Sequence, residues 1–326
     1  MVVQHDRMHW RVRAELQIAR GLLAWRRHRA PFLPEFVLPS PRLVQVGNNL
    51  SGEGGASSAI PKIIWAYWHD GVLPPLIARC VAGWRRLHPD WHIHVLNART
   101  ARDFVPDWPD KLAQATVHQL ADWLRLSLLH AHGGIWLDAS TVLTQPLDWV
   151  LQAHAQFKVQ ALGLYLDRFT SEPDYPVLEI GLLAAPPHTR FFADVLQEFG
   201  CWVIERGAQA YVEHLRQLPN YLKLRQRIDV PQYLTTHLAI QRTLQWTGAN
   251  YRLAMWRSED TGYLYHVQAG WSRARLKERL FLMRVGKTVS PLIKLRGPDR
   301  RKLDAYLDGH VFLPDSLAGL HLQELA

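Results

Sequence analysis

The stretch HGGIWLDAST, residues 132–141, contains the feature that decides the fold. A Gly-Gly pair precedes the apolar run IWL (135–137), and this run ends at the carboxylate of Asp138. An apolar strand that stops at a carboxylate predicts an acidic side chain at the edge of a sheet, where ligands bind in open α/β folds. Because Asp is also a common turn residue, the stretch by itself leaves a plain turn as the alternative.

Strands and helices alternate on both sides of this stretch. The predicted strands cover 62–67, 92–96, 135–137, 161–166 and 178–184. The predicted helices cover 76–87, 116–130 and 190–199. Such alternation predicts an α/β fold, a Rossmann-like single domain with a mostly parallel central sheet.

The two ends of the chain differ from this centre in composition. Residues 7–29 combine apolar residues at helical spacing with seven arginines, which predicts a basic amphipathic helix. A Pro-rich segment follows it, then SGEGGASS, and the chain turns basic again after about residue 270. We therefore expect an N-terminal segment at 1–45, a flexible linker at 46–59, the main domain at 60–270 and a basic helical extension at 271–326.

The charge balance indicates an acidic partner. Among 326 residues, 38 are Lys or Arg and 29 are Asp or Glu, which gives a net charge of +9. Nucleotide phosphates or anionic lipid headgroups suit this charge, whereas nucleic acid is not expected because no nucleic-acid-binding motif is present. The two cysteines cannot form a disulfide framework, and no apolar run is long enough to span a membrane. These features predict a cytoplasmic protein. Its basic ends leave two alternatives open: peripheral attachment to the inner face of an anionic membrane, or solvated helices that pack on the protein's own domain.

A second acidic and basic pair precedes the opening stretch. Asp122 and Arg125 are three residues apart, so they share one face of the predicted helix. Arg binds phosphate through its forked donors, and Asp accepts hydrogen bonds from sugar hydroxyls. The Asp-x-Ser unit at 138–140 offers hard oxygen ligands to Mg²⁺ or Mn²⁺, which in turn binds a diphosphate. A plain surface ion pair between Asp122 and Arg125 is the structural alternative.

Three blocks of the sequence resemble, in order, blocks of the capsular polysaccharide synthesis glycosyltransferases. They are IPKIIWAYWHDG (60–71), ADWLRLSLLHAHGGIWLDAST (121–141) and LEIGLLAAPPHTRF (178–191). This family is related to the mannosyltransferase-like sugar-transfer family, whose members carry an Asp-x-Asp motif. The resemblance spans roughly residues 60–290. It implies a GT-A type fold that binds a nucleotide-diphospho-sugar and a divalent cation, Mn²⁺ or Mg²⁺.

The resemblance also implies a metal site and a phosphate contact. Asp138 corresponds to the first, catalytic carboxylate of the metal motif, and Ser140 stands where many relatives have a second aspartate. The segment YHVQAGW (265–271) is similar to a segment in which His266 would be a metal ligand and Trp271 a phosphate contact. A hydroxyl is a poorer ligand than a carboxylate for a hard cation, so Ser140 predicts weaker metal binding.

Four further residues are implied to contact the donor. Asp122 and Arg125 would bind the donor sugar and its phosphates, and Trp68 would stack on the base. Glu179 would be a catalytic residue that faces the transferred sugar, although Ile180 replaces the Asn that often follows it.

The implied function is sugar transfer from a nucleotide-diphospho-sugar to a saccharide or lipid-linked saccharide acceptor in surface polysaccharide biosynthesis. We expect metal assistance and retention of the anomeric configuration. One alternative is a basic, membrane-associated adaptor without catalysis. Another is a phosphatase of the haloacid-dehalogenase type, because LDASTV (137–142) resembles its motif, but Ser140 cannot act as that enzyme's second carboxylate.

Overall fold

A computed structural model describes residues 2–47, 58–105, 107–246, 248 and 250–322, without the side chains of 2–9 and 11. Residues 48–57 of the predicted linker therefore lie outside the described part. The strands are β1 (Arg42–Val46), β2 (Ile63–Tyr67), β3 (His92–Leu96), β4 (Gly134–Leu137), β5 (Thr141–Leu143), β6 (Ala161–Tyr165), β7 (Leu178–Ala185), β8 (Tyr251–Arg257) and β9 (Leu292–Lys294). The α-helices are α1 (Val2–Arg26), α2 (Pro75–Leu87), α3 (Val117–His132), α4 (Asp148–Phe157), α5 (Arg190–Phe199), α6 (Ala208–Arg216), α7 (Tyr221–Arg225), α8 (Thr235–Leu244), α9 (Leu264–Gln268), α10 (Arg273–Leu282), α11 (Gly297–Arg300), α12 (Leu303–Asp308) and α13 (Leu317–His321). A π-helical turn over Gly200–Ile204 continues α5.

Seven strands form one sheet in the order β1-β8-β6-β7-β4-β2-β3. Five of them, β3, β2, β4, β6 and β8, run in one direction. The other two, β7 and β1, run antiparallel to their neighbours. The predicted α/β class with a mostly parallel sheet is confirmed, and each predicted strand is found within one residue of its expected bounds.

Both faces of the sheet are buried. Successive residues of a strand point to opposite faces, and buried apolar residues are found on both. Trp65 and Trp136 pack on the side of α3, α5 and α8, whereas Ile64 and Ile135 pack on the side of α2 and α4. Strands covered on both faces read as continuous apolar runs, as IIWAY and GIWL do. The sheet is therefore the rigid centre from which polar residues at the strand ends project.

The junction between α3 and β4 determines where β4 ends. Thr116 and Gln119 form a capping box at the start of α3, with the Gln119 N–H donating to Thr116 Oγ1 (3.2 Å) and the Thr116 N–H donating to Gln119 Oε1 (2.9 Å). Gly133 and Gly134 follow the helix with φ of 66° and 97°. A Cβ on Gly133 would lie 2.6 Å from a neighbouring backbone nitrogen. The Gly-Gly pair thus lets the chain pass from α3 to β4 without a loop. Asp138 follows at the end of β4.

The N-terminal helix and the C-terminal region pack on each other. Ala19 and Leu23 of α1 are buried in one apolar cluster with Leu280 and Tyr306. Strand β9 pairs antiparallel with β5, which follows the Asp138 turn. The segment predicted as a C-terminal extension thus supplies a strand beside the strand ends of the main sheet. Among the described residues, no helix has the length and hydrophobicity needed to cross a membrane.

We expect Glu15→Gln to destabilise the protein, because Glu15 joins α1 to the C-terminal helices. Its carboxylate binds the ammonium groups of Lys277 and Lys302 and accepts a hydrogen bond from Tyr306 (3.0 Å). Burial by itself would raise the pKa of Glu15, but the two lysines outweigh it and lower that pKa to about 2. The free energy of unfolding at pH 7 should fall by about 2 kcal/mol, as is usual for hydrogen bonds to charged groups.

The pH dependence of this effect follows from the lowered pKa. The carboxylate stabilises the fold above the unfolded-state value of 4.5, and that stabilisation is lost as the pH falls towards about 2. Urea unfolding from pH 7 to pH 2.5 should therefore show a gap between wild type and Glu15→Gln that narrows below pH 4.5. Glu35→Gln, at an exposed position, serves as the control. A gap that stays constant with pH would contradict this account.

Candidate active site

The carboxyl ends of β2, β4 and β6 lie at one edge of the sheet, because these strands are parallel. Trp68 follows β2, Asp138 follows β4, and Arg168 lies shortly after β6. All three line a cavity of about 480 Å³, a size suited to a small-molecule ligand. The charged side chains in its wall are Arg125, Arg168, Lys294, Arg296, Arg300, Asp138, Glu179 and Asp229.

Asp138 is the centre of a charged network in this wall. Its Oδ1 accepts hydrogen bonds from Arg125 Nη2 (3.1 Å) and Trp136 Nε1 (3.2 Å), and its Oδ2 lies 3.0 Å from Lys294 Nζ. Burial would raise the pKa of Asp138, but Lys294 and Arg125 outweigh it and hold that pKa well below its usual range. Asp138 is thus ionised at neutral pH, and its two oxygens are each paired with a cation.

Asp122 lies behind Arg125 in the protein interior. Its Oδ1 accepts a hydrogen bond from Arg125 Nη1 (2.6 Å), and its Oδ2 accepts one from the Thr236 hydroxyl (2.6 Å). The exposed fractions of Asp122 and Arg125 are 1% and 4%, so this is not the surface ion pair of the alternative interpretation. Arg125 reaches the cavity wall, whereas Asp122 holds Arg125 in place without lining the cavity.

Glu179 and Lys294 form a second buried ion pair beside Asp138. Glu179 Oε1 binds the Lys294 ammonium, and Glu179 Oε2 accepts a hydrogen bond from the Gly181 N–H (3.0 Å). Burial would lower the pKa of Lys294, but the carboxylates of Asp138 and Glu179 outweigh it and hold that pKa well above its ordinary value. Lys294 is therefore an ammonium at neutral pH, and it lies between two carboxylates.

His266 and Trp271 lie behind the arginines of the cavity wall, His266 through Asp299 and Trp271 by direct contact. His266 Nε2 lies 3.0 Å from Asp299 Oδ2, and Asp299 binds Arg296 in a fork with N–O distances of 2.8 and 3.0 Å. The Trp271 ring centre lies 4.8 Å from the guanidinium carbon of Arg296 and 5.2 Å from that of Arg168. Both predicted residues thus position cationic groups at the cavity, and neither lines it.

The structure does not bring the three predicted metal ligands together. Ser140 Oγ donates to the Leu295 carbonyl (2.8 Å), and His266 is directed to Asp299. Asp138 already binds two cationic side chains. Within the described ranges, no group of three or more His, Cys, Asp or Glu side chains could hold a metal ion. The donor set present at Asp138 therefore does not fit a divalent cation.

The cationic side chains from the C-terminal region were not among the predicted site residues. Lys294 ends the short strand β9, and Arg296 and Arg300 follow it at α11. The apolar pair before Lys294 repeats the signal seen at Asp138, a strand that stops at a charge. Basic composition alone does not distinguish Lys294 from the other basic residues nearby. Arg168, in the turn after β6, carried no sequence signal of its own.

The family model described as capsular polysaccharide synthesis protein matches residues 48–168. The predicted resemblance is confirmed. The matched segment includes four residues of the cavity wall that were predicted from the sequence as site residues, Trp68, Arg125, Asp138 and Ser140.

Curated glycosyltransferases are similar to part of the chain. The O-glycosyltransferase braB of Annulohypoxylon truncatum is 27% identical over 192 residues, which cover 52% of this chain and 45% of that protein. The O-glycosyltransferase PaGT of Phomopsis amygdali is 35% identical over 105 residues, 27% of this chain and 25% of that protein. Inositol phosphoceramide mannosyltransferase 3 of Schizosaccharomyces pombe is 31% identical over 100 residues, which cover 29% of this chain and 28% of that protein. The chain thus spans less than half the length of these relatives.

A solved structure of the galactosyltransferase LgtC with donor and acceptor sugar analogues is also similar. It is 14% identical, the match covers 76% of this chain and 93% of that chain, and the TM-score is 0.38. At this TM-score the likeness does not establish a common fold.

Proposed function

We propose that this protein is a glycosyltransferase of the GT-A type that uses a nucleotide-diphospho-sugar donor. The acceptor is a saccharide or lipid-linked saccharide in surface polysaccharide biosynthesis. The similarity to named glycosyltransferases, together with the family-model match over the segment that carries Trp68, Arg125 and Asp138, supports the class of reaction.

The observation that carries the proposal is the charge arrangement of the cavity. Lys294, Arg168, Arg296 and Arg300 line the same cavity as Asp138, at the carboxyl ends of the parallel strands. Cationic groups in a partly closed site suit a diphosphate, and fixed carboxylates suit sugar hydroxyls and a positively charged transition state. A nucleotide-diphospho-sugar presents these groups in one molecule.

Trp68 gives the donor an orientation. A second cavity of about 460 Å³, beside the ends of β2 and β3, shares Trp68 with the first cavity. The Arg300 guanidinium carbon lies 5.4 Å from the Trp68 ring centre. In the proposed complex the nucleoside lies along Trp68, the diphosphate lies between Arg300 and Lys294, and the sugar lies near Glu179.

The proposed chemistry uses these side chains without a metal step, because the donor set does not fit a divalent cation. The bond between the anomeric carbon and the phosphate oxygen breaks, and its electron pair stays on the diphosphate. The acceptor oxygen attacks from the same face, and the departing phosphate oxygen takes the acceptor proton, so the anomeric configuration is retained. Arg296 and Lys294 stabilise the charge that grows on the diphosphate, and Glu179 stabilises the positive charge on the sugar by its field.

Turnover of nucleotide-sugars tests the proposal. Purified protein is incubated with a panel of UDP-, GDP-, ADP- and dTDP-sugars, and the products are identified by mass spectrometry. We expect slow release of the nucleotide from one donor, with NMR showing retained configuration at the anomeric carbon. No turnover of any donor would favour the adaptor without catalysis, and turnover of phosphomonoesters instead would favour the phosphatase.

We further propose that α1 docks the protein on the inner face of an anionic membrane. Trp10, Ile18 and Trp25 are exposed by 57%, 75% and 60%. At about 100° per residue they project from one side of the helix, opposite the buried Ala19 and Leu23. Exposed indoles on a basic helix suit the headgroup region of an anionic membrane, where Trp is enriched and Lys and Arg are attracted.

The membrane proposal is tested with the double variant Trp10→Ala/Trp25→Ala. In pelleting with phosphatidylglycerol vesicles we expect binding to fall about 10-fold or more, because two interfacial indoles are lost. Trp246→Ala, which removes an indole exposed by 56% elsewhere, should bind like wild type. Equal binding by all three proteins would contradict a role for α1.

A further inference from the structure

Lys294 occupies a position that several elements of the fold build for it. Its backbone is fixed by pairing with Thr141 in the β5–β9 ladder and by a hydrogen bond from its N–H to the Gly262 carbonyl (3.0 Å). Its ammonium then lies between Asp138 Oδ2 and Glu179 Oε1. A Cβ on Gly181 would overlap this ammonium, so the glycine keeps the space open.

In the part of the chain that the structure describes, the acceptors around this ammonium leave one of its three N–H groups for a ligand. Asp138 and Glu179 take two, and the side chain is exposed by 13% in the cavity wall. The same two carboxylates are the anionic groups that a divalent cation would need. Asp138 Oδ1 is committed to Arg125 and Trp136, and Glu179 Oε2 is committed to a backbone N–H. A fixed +1 charge therefore lies where the two carboxylates converge.

We propose that Lys294 supplies the positive charge at the leaving diphosphate that a divalent cation would otherwise supply, so that sugar transfer by this chain needs no added metal. The inference rests on the proposed glycosyltransferase function. As the bond between the anomeric carbon and the phosphate oxygen breaks, the electron pair moves to that oxygen, and the free N–H of Lys294 donates to the diphosphate. Lys294 keeps its proton throughout, and the acceptor's proton leaves with the diphosphate.

The inference predicts how donor binding and turnover respond to chelation. Binding of UDP and GDP is measured by calorimetry, and turnover of the corresponding nucleotide-sugars is followed, in EDTA and in Mn²⁺. Wild type should bind the preferred diphosphate equally, within about two-fold, in both buffers, and its turnover should survive EDTA. Lys294→Met should weaken binding in EDTA by about 10- to 100-fold, as expected for loss of a charged hydrogen bond. Mn²⁺ should restore part of the binding, because Asp138 and Glu179 are then free to hold a cation.

Two controls separate charge from folding. Lys287→Met makes the same substitution at an exposed position and should behave like wild type. The wild-type comparison between EDTA and Mn²⁺ needs no variant, so it tests the inference even if Lys294→Met fails to fold. Loss of wild-type turnover in EDTA, or unchanged binding by folded Lys294→Met, would overturn the inference and leave the proposed function intact. Failure of wild type to bind either diphosphate in either buffer, with no donor turned over, would overturn both.

Discussion

Asp138→Asn should lower turnover of the preferred nucleotide-sugar by at least about 100-fold, the effect typical of removing one fixed group that stabilises a transition state. The substitution keeps the shape of the side chain and removes the charge that both Arg125 and Lys294 require. These cations are buried, so they must move or repel one another when the carboxylate is neutral. The Lys294 ammonium then no longer faces the diphosphate. Steady-state kinetics measure the effect, with circular dichroism to establish that the variant is folded.

Asp90→Asn is the matched control for this prediction. Asp90 also pairs with a lysine, Lys62, but the pair is exposed and lies away from the cavity wall. Its loss should leave turnover within about two-fold of wild type, because exposed ion pairs contribute little. If folded Asp138→Asn retained wild-type turnover, Asp138 would be only a residue of the turn after β4.

Gly181→Ala should reduce turnover by about 100-fold with little change in stability. The added methyl group would overlap the Lys294 ammonium and lie 2.9 Å from Asp138 Oδ2. Because the overlapping atom ends a flexible side chain, Lys294 can move aside at small cost to the fold. A displacement of about 1 Å at a reacting group is enough for a loss of this size. Turnover and the thermal midpoint are measured on the same preparation.

Gly200→Ala provides the comparison, since a Cβ at Gly200 would meet no atom within 4 Å. That variant should match wild type in turnover. Equal turnover by Gly181→Ala would show that the position of the Lys294 ammonium is not critical. A large fall in the thermal midpoint together with the loss of turnover would mean that the glycine serves the fold and not the site.

The sequence was informative where local pattern and local structure coincide. The strand IWL ends at Asp138, Asp122 and Arg125 share a face of α3, and the Gly-Gly pair ends the helix. Each of these features depends on neighbours within a few residues. They were therefore readable without knowledge of the rest of the fold, and they place the central carboxylate at the cavity.

The remaining features depend on pairings between distant parts of the chain. Strand β9 has three residues and becomes a strand only against β5, more than 140 positions earlier in the chain. The antiparallel insertion of β7 between β4 and β6 likewise has no local signal. Lys294 reaches Asp138 only through these pairings, so its contact with the site could not be predicted. The hydrogen bond from the Ser140 hydroxyl to the Leu295 carbonyl also joins distant parts of the chain. It could therefore not be predicted from the sequence either.

The most direct test of the central claim is a crystal structure of the protein with the nucleoside diphosphate that it binds best, UDP or GDP. We predict that the diphosphate lies within hydrogen-bond distance of Lys294 and Arg296, with the base against Trp68. A diphosphate found instead in the separate cavity of about 310 Å³ lined by Arg190, Cys201 and Trp246 would contradict the account. The cavity beside Asp138 would then not be the donor site.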